Sequence, residues 1–316
     1  MQELQQNIVN ILAYFDIFQY PLTHDDIRNF ITGRYSRAVI DEQLQALTRQ
    51  KIIYKLDEFY ALENNIRLAE RRRSGNTKAI AEFRRAATAA RILFKFPFVD
   101  GLAISGSLSK NFADDSSDID FFIITCPGRL WIARTLMHLF YKLAALAGRQ
   151  RMFCMNYYID GDALKIPEQN IFTAMEIATL VPMQGGDCVH KFIAENVWLK
   201  KYFPVAAVKV MNTAPAKKGV VRKFSEWLLG GRLGNSIDNG LYKLTERHWQ
   251  KKEHLDKTNA KGISMGMLAG KHFAKPDPKN LQDKILTQYE NKTRLLADKL
   301  LKNKAALPEI ISSGEK

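Results

Sequence analysis

The sequence predicts an α+β fold in which a small β-sheet lies between two mainly helical regions. Residues 99–105 and 118–124 are rich in apolar and β-branched side chains, which is typical of buried strands. Residues 151–159 form a third run of this kind. On both sides of these runs, apolar residues recur every three or four positions, which indicates amphipathic helices.

Length and composition indicate a globular protein of more than one domain. A chain of 316 residues can form two or three domains, each with its own core. No apolar run reaches the roughly 18 residues of a membrane span, and the polar start lacks the pattern of a secretory signal. We therefore expect a cytoplasmic protein without membrane association. Cys126, Cys154 and Cys188 are too widely spaced for a zinc cluster or a disulfide framework, so we expect free thiols.

The chain is strongly basic. Lysine and arginine number 47 against 33 acidic residues, which gives a formal net charge of +14. A field of this sign attracts polyanions such as nucleic acid or nucleotides. A basic surface without any polyanionic partner is the alternative, and the sequence does not indicate an oligomeric state.

The first 65 residues predict three helices followed by a hairpin. Leu4, Ile8 and Ile11 form one face of the first helix, while Thr23 and Ser36 are good N-caps for the second and third. A β-hairpin at residues 51–62 follows. This order resembles a winged helix domain, which we place at residues 1–65.

In winged helix proteins the third helix can enter the major groove of DNA. The residues expected on its outward side are only mildly basic, namely Arg34, Arg37, Asp41, Gln43 and Arg49. A packing or dimerisation module is the alternative, because a fold by itself does not establish DNA binding. A polar boundary at residues 63–76 follows, where we expect the arginines at 71–73 to be solvated.

The most informative stretch runs from residue 99 to residue 124. A strand leads directly into Gly106-Ser107, where a glycine allows a sharp turn and lets a phosphate approach the backbone. Asp118 and Asp120 lie two apart at the start of the next strand, so both carboxylates project from one face. Paired carboxylates of this kind favour a divalent cation with hard oxygen ligands, such as Mg²⁺.

Gly106-Ser107, followed after ten residues by Asp118-x-Asp120, resembles the signature of the DNA polymerase β-like nucleotidyltransferase superfamily. In that superfamily a Gly-Ser turn precedes an acid-x-acid strand. The resemblance implies a small mixed β-sheet nucleotidyltransferase core, which we place at residues 77–185. The predicted fold class is therefore α+β, with the winged helix domain before this core and a helical, basic region at residues 186–316 after it.

The resemblance also implies an activity, which is Mg²⁺-dependent transfer of a nucleoside monophosphate from an NTP to an acceptor hydroxyl. Gly106 and Ser107 would hold the triphosphate with Lys110 as a further phosphate contact, and Asp118 and Asp120 would hold the metal ions. Nucleic acid ends, proteins and small molecules all serve as acceptors in this superfamily. The sequence does not choose among them.

One feature departs from the superfamily pattern. Active members add a third carboxylate from a following strand, but residues 151–159 contain no acid, and Asn156 stands where we expect it. Asn156 can offer a neutral oxygen to Mg²⁺, and Asp160 and Asp162 just beyond the strand are alternatives. A regulator that binds nucleotide or nucleic acid on the same fold, with weak catalysis or none, is therefore the second hypothesis.

The remaining elements carry weaker predictions. A helix at residues 130–147 places Arg134, His138 and Lys142 on one face, which we expect to face solvent, and Glu176 reads as an ordinary surface or capping acid. Residues 182–187 read as a boundary, and residues 257–280 as a connector. The C-terminal region contains basic pairs interleaved with aromatic residues that we expect in its core, namely Lys217-Lys218, Arg222-Lys223, Lys251-Lys252 and Lys257 with Trp227, Tyr242 and Trp249.

Overall fold

The computed structural model describes residues 2–206, 219–254, 265–278 and 281–312. The chain divides into two compact units. Unit 1 comprises Met1–Ser74, Trp198–Ala207 and Gln282–Lys316, and unit 2 comprises Gly75–Val197 and Val208–Leu281. The described part is mixed α/β, with one sheet of three strands and one sheet of six.

The helices and the strands are numbered separately in chain order. The helices are α1 (Gln2–Asp16), α2 (His24–Phe30), α3 (Arg37–Arg49), α4 (Ile66–Leu93), α5 (Gly106–Ser109), α6 (Leu130–Leu146), α7 (Ile171–Ala178), α8 (Gly186–Glu195), α9 (Val220–Leu228), α10 (Arg232–His254) and α11 (Leu281–Ser312). The strands are β1 (Leu22–Thr23), β2 (Tyr54–Leu56), β3 (Phe59–Ala61), β4 (Val99–Ile104), β5 (Asp120–Thr125), β6 (Cys154–Asp160), β7 (Val181–Gln184), β8 (Met265–Gly270) and β9 (Phe273–Pro278). Short 3₁₀ helices occupy Gln150–Phe153 and Val197–Lys201.

Unit 1 begins with the three helices and the hairpin that the sequence predicts. Thr23 caps α2 with a capping box in which its hydroxyl accepts from the Asp26 backbone N–H, and the Ser36 hydroxyl accepts from Val39 N. The hairpin strands β2 and β3 pair antiparallel, and β1 joins the other edge of β3. The order of these elements is thus confirmed, while the assignment to the winged helix fold stays a prediction.

The three consecutive arginines at the start of α4 differ from the sequence expectation, because each contacts other parts of unit 1. The Arg72 guanidinium is buried 3.5 Å from the centre of the Tyr20 ring, and it lies 3.4 Å from Asp26. Arg73 bonds the carboxylates of Asp57 and Glu58 in the hairpin turn. These side chains hold the helix start to the hairpin and to α2, so they are structural rather than simply solvated.

Unit 2 is built on the six-stranded sheet, whose order is β7-β4-β5-β6-β9-β8. Strands β5 and β6 run parallel, and all the other neighbouring pairs are antiparallel. Phe121 and Ile123 of β5 pack into a core shared with α4 and α6. Phe122 points to the other face, where its ring centre lies 4.7 Å from that of Phe192 in α8. The central strands are therefore buried on both faces, which explains their nearly continuous apolar sequences.

Strand β7 lies where the sequence suggests a boundary at residues 182–187. It pairs antiparallel with β4 through Val181, Pro182 and Gln184. Proline cannot donate a ladder hydrogen bond, so its presence argues for a linker unless the strand lies at the edge of the sheet. Strand β7 is an edge strand, which reconciles Pro182 with the pairing.

The prediction of a purely helical C-terminal region is wrong at residues 265–278. Strands β8 and β9 form a hairpin there, and β9 pairs with β6 through Phe273 and Ala274. Glycine and proline in this stretch favour a loop locally, but pairing with an existing sheet overrides such weak preferences. The rest of the predicted connector, at residues 257–264 and 279–280, lies outside the described residues.

Candidate functional site

The turn after β4 lies directly against the start of β5. Gly106 has a backbone φ of +65°, a conformation that side-chain-bearing residues rarely adopt. A Cβ atom at this position would lie 2.3 Å from Oδ2 of Asp120. The backbone N–H of Ser105 donates to the carbonyl oxygen of Asp120 at 2.9 Å. Glycine is therefore required at position 106 both by the backbone conformation and by the nearby carboxylate.

The two aspartates lie at one end of the central strands. Asp120 is the first residue of β5, and its register partner on the parallel strand β6 is Cys154. Asp118 lies two residues earlier, is partly exposed, and has its Oδ1 3.9 Å from Nε of Arg151. Gly106, Asp118 and Asp120 thus lie together at the end of the sheet where β5 begins, as the sequence predicts.

Asp120 lies in an environment that disfavours its charge. The pKa of Asp120 is raised to about 6, chiefly by burial and then by the charges of Asp118 and Glu176, while a hydrogen bond with the Cys154 side chain and the charge of Lys110 act in the opposite direction. The cause is withdrawal from solvent beside like charges. A cation bound here would stabilise the ionised carboxylate, because it would compensate the neighbouring negative charges.

Lys110 bridges the turn and helix α7. Its Nζ donates to the carbonyl oxygen of Gly106 at 3.2 Å and to Oε1 of Glu176 at 2.8 Å. Glu176 was expected to be an ordinary surface or capping acid, but its charge raises the pKa of Asp120. No local pattern signals this role, because the fold alone brings α7 to the turn. The predicted contact between Lys110 and phosphate stays a prediction.

Two serines flank Gly106, one at each side of the turn. Ser107 is the second residue of α5, which has only four residues, so the dipole of this helix is small. Its predicted contact with the triphosphate stays a prediction. Ser105 was not singled out from the sequence. It is buried, and no described residue is a hydrogen-bond partner of its hydroxyl, which is unusual for a buried polar group.

The residues considered for a third metal ligand lie at different positions along β6. Asn156 lies at an irregularity of the pairing with β5, between Met155 and Tyr157, and its role as a ligand stays a prediction. Asp160 is six residues beyond Cys154, or about 20 Å along an extended strand. There its carboxylate accepts from Gly128 N at 3.0 Å and lies 3.1 Å from Nδ1 of His272.

Asp160 is therefore a structural residue at the far end of the strand, and the suggestion that it completes the metal site is wrong. Asp162 follows it in the chain, where its backbone N–H donates to Asp160 at 3.1 Å. Strand direction is the physical reason, because a residue just past the end of β6 is carried away from the edge where β5 begins.

The donor set fits one kind of metal site. Asp118 and Asp120 supply hard carboxylate oxygens, and the like charges around Asp120 favour a cation. Among the described residues, no group of three or more histidine, cysteine or acidic side chains is arranged to hold a metal ion. A divalent ion bound here would take two protein carboxylates and complete its coordination with substrate oxygens or water, as Mg²⁺ commonly does.

The predicted DNA-reading face of α3 differs from the expectation. On α3, Gln43 does not face outward, because it is buried and its Oε1 accepts from Nε2 of Gln5 at 2.9 Å. Gln43 shares its helix face with Ile40, Leu44 and Leu47, a spacing that could have revealed this. Asp41 lies 3.2 Å from Nε2 of His24, so the predicted DNA-reading face is smaller than expected.

The basic and aromatic residues of the C-terminal region also behave differently from one another. Arg222 is buried and bonds backbone carbonyls, so it cannot line a polyanion groove. Trp227 is 76% exposed and is not a core residue, whereas Tyr242 and Trp249 pack against the core as predicted. Lys217, Lys218 and Lys257 lie outside the described residues.

Comparisons with known proteins were made by family, by sequence and by structure. No protein-family model, no curated protein and no solved structure matches the chain. Within the described part of the chain, no helix is both long enough and apolar enough to cross a membrane. The residues of unit 2 are therefore the basis for assigning a function.

Proposed function

We propose that the chain is a Mg²⁺-dependent nucleotidyltransferase that moves a nucleoside monophosphate from an NTP to an acceptor hydroxyl. The observation that carries the proposal is the contact between the turn and the strand. At Gly106 even a Cβ atom would collide with the Asp120 carboxylate, so a phosphate bound at this turn would lie beside the two aspartates. The resemblance to the DNA polymerase β-like superfamily supports the same reaction.

In this reaction the acceptor hydroxyl loses its proton to solvent, its oxygen attacks the α-phosphorus of the NTP, the bond from that phosphorus to the bridging oxygen breaks, and pyrophosphate leaves. A bound Mg²⁺ would neutralise phosphate charge and lower the pKa of the acceptor hydroxyl. Asp118 and Asp120 would hold the ion beside the turn, where Gly106 and Ser107 would bind the triphosphate. Lys110 keeps the turn in position through Gly106 and Glu176.

The proposal is tested by incubating the chain with NTPs labelled at the α-phosphate, Mg²⁺ and a cell lysate. We expect a labelled acceptor with the unaltered chain and none with Asp118→Asn combined with Asp120→Asn. The matched control is Asp115→Asn. Asp115 is an exposed residue of the same loop, and its carboxylate pairs with Lys78. Labelling that survives the double substitution would contradict the assignment of the site.

A second candidate is a regulator that binds nucleotide without turnover. One observation favours it, because the register partner of Asp120 on β6 is Cys154 and the only acid of that strand, Asp160, lies at its far end. Calorimetry would then detect Mg²⁺-dependent NTP binding that Asp120→Asn weakens, while no pyrophosphate is released with any acceptor. Pyrophosphate release above the level of the double variant would exclude this candidate.

A further inference from the structure

A cavity of about 130 Å³ lies within unit 2, between helices α6 and α10 and strands β6 and β9. Its walls include Arg134, His138 and Tyr141 of α6, Cys154 of β6, Trp249 of α10 and Lys275 of β9. Arg134 and His138 were expected to face solvent, and His138 is exposed while Arg134 is half-buried. Both line an indentation whose other walls come from the sheet and from α10.

The described residues that line the cavity include basic side chains. Arg134, His138 and Lys275 bring basic groups to it from two elements, and none of the described residues that line it is acidic. Lys275 also contacts the Glu168 carboxylate at 3.2 Å, and the Arg134 guanidinium lies 5.5 Å from the centre of the Trp131 ring. Burial lowers the pKa of Arg134.

The size and walls of the cavity restrict what it can hold. A cavity of about 150 Å³ accepts one benzene-sized ring, so this one suits a single ring or a group of similar size. Tyr141 and Trp249 offer aromatic surfaces for such a ring. The basic groups offer charge-assisted hydrogen bonds to a carboxylate or a phosphate carried by that ring.

The cavity adjoins the edge where Asp118 and Asp120 lie. Cys154 lines the cavity, and its side chain is also hydrogen-bonded to Asp120. Tyr141 also lines the cavity. The pKa of its hydroxyl is raised by burial first, then by Cys154, and then by the charge of Asp118. A molecule anchored in the cavity is therefore held beside the proposed metal site.

We propose that this cavity binds the acceptor, and that the acceptor is a small molecule with a ring-sized group bearing a carboxylate or a phosphate. Arg134, His138 and Lys275 hold its anionic group, Tyr141 and Trp249 hold its ring, and its hydroxyl extends toward Asp118 and Asp120. This assignment rests on the proposed nucleotidyltransferase function and specifies its substrate class.

The experiment measures binding of simple probes to the full chain without NTP or Mg²⁺, by calorimetry or by quenching of tryptophan fluorescence. Benzoate tests the carboxylate arm, phenyl phosphate tests the phosphate arm, and benzyl alcohol is the neutral control of the same size. We expect one of the two anions to bind at least about tenfold more tightly than benzyl alcohol. Equal affinity for all three probes, or no binding of either anion, would overturn the proposal.

Variants locate the binding. We expect Arg134→Met to weaken the anionic probe by about tenfold or more, because it removes a charge-assisted contact. His138→Gln changes an exposed side chain of the cavity and should weaken the probe even if Arg134→Met fails to fold. Lys142→Met alters an exposed lysine one turn further along α6 and should leave the affinity unchanged. Probe affinity unaffected by His138→Gln and by a folded Arg134→Met would remove the cavity from consideration.

Failure of this inference can be told apart from failure of the proposed function. Asp118→Asn with Asp120→Asn should abolish transfer but leave probe binding intact. Probe binding by a chain that transfers nothing would support the cavity as a site and contradict the transferase. Competition between an NTP and the probe, or transfer to a macromolecule that His138→Gln does not affect, would overturn the acceptor assignment while the transferase stands.

Discussion

Two groups of charged side chains are withdrawn from solvent within unit 2, and they differ in how their charges are compensated. Arg222 of α9 is almost fully buried, and its guanidinium bonds Glu226 at 2.8 Å and the carbonyl oxygens of Phe94 and Val99 at 2.7 Å. Glu226 in turn accepts from Phe98 N at 3.0 Å. Asp120, by contrast, is disfavoured as a carboxylate by burial and by the like charges of Asp118 and Glu176, which the Cys154 hydrogen bond and the charge of Lys110 only partly offset.

The comparison separates a structural use of buried charge from a functional one. A buried ion pair with every group hydrogen-bonded holds elements together, whereas clustered like charges cost stability and are typical of sites that await a ligand. In helix α9 this structural role reverses the usual orientation of an amphipathic helix. Arg222 and Glu226 face the protein, while Val221, Phe224 and Trp227 are 81%, 61% and 76% exposed.

The largest effect is expected from breaking the compensated group. Arg222→Met should lower the free energy of unfolding by about 3–5 kcal/mol, because it leaves Glu226 and two carbonyl oxygens without their buried partner. Urea unfolding followed by circular dichroism measures this change. Lys223→Met, an exposed neighbour on the same helix, is the control and should change little.

A second variant tests whether the ion pair itself is responsible. Arg222→Met combined with Glu226→Gln should be less destabilising than the sum of the two single changes, since the double variant no longer buries an uncompensated carboxylate. If Arg222→Met lowers the free energy of unfolding by less than about 1 kcal/mol, the buried ion pair of Arg222 and Glu226 does not contribute to stability as inferred.

The next effect concerns the turn that faces Asp120. Gly106 and Gly128 have nearly the same backbone φ, +65° and +63°, but a Cβ at Gly106 would collide with Asp120 and one at Gly128 would have open space. Gly106→Ala should therefore be more destabilising than Gly128→Ala by about 1–3 kcal/mol, the usual cost of overpacking. Thermal or urea unfolding of both variants gives the difference directly. Equal losses would show that only the backbone conformation matters at position 106.

A smaller effect of opposite sign is expected at Asp120, whose charge is only partly compensated. Asp120→Asn should raise the free energy of unfolding by about 1 kcal/mol at neutral pH, because an amide keeps the shape but removes a charge that burial and its neighbours disfavour. Asp115→Asn at an exposed position should stay within about 0.5 kcal/mol of the unaltered chain. Destabilisation by Asp120→Asn would show that the carboxylate is compensated after all.

The smallest effect is expected at the ion pair that borders Asp120. Lys110→Met should cost roughly 0.5–1 kcal/mol, because its pair with Glu176 is only partly buried and solvent screens it. Adding Glu176→Gln should restore most of the loss, since the charge of Glu176 that Lys110 had neutralised beside Asp120 is then removed. The control is Lys78→Met, whose partner Asp115 is exposed. A double variant no more stable than Lys110→Met would show that Glu176 does not act on Asp120.

The sequence by itself determined the elements whose causes are local. The capped helices α2 and α3, the hairpin of β2 and β3, and the strands β4, β5 and β6 follow from apolar periodicity and from caps at Thr23 and Ser36. The approach of Gly106 to Asp120 could also be predicted, because a glycine turn and an acidic strand start are short-range patterns, although β5 begins at Asp120 and not at Asp118.

Only the tertiary structure decided which residues meet across the sheet and between elements. The addition of β9 to β6, the place of Pro182 in an edge strand, and Cys154 rather than Asn156 as the register partner of Asp120 depend on strand pairing between distant segments. The approach of Glu176 to Asp120 and the inward turn of Arg222 depend on helix packing. Such contacts join residues far apart in the chain, so no local preference encodes them, and the free energy of burial and pairing selects them only when the whole unit folds.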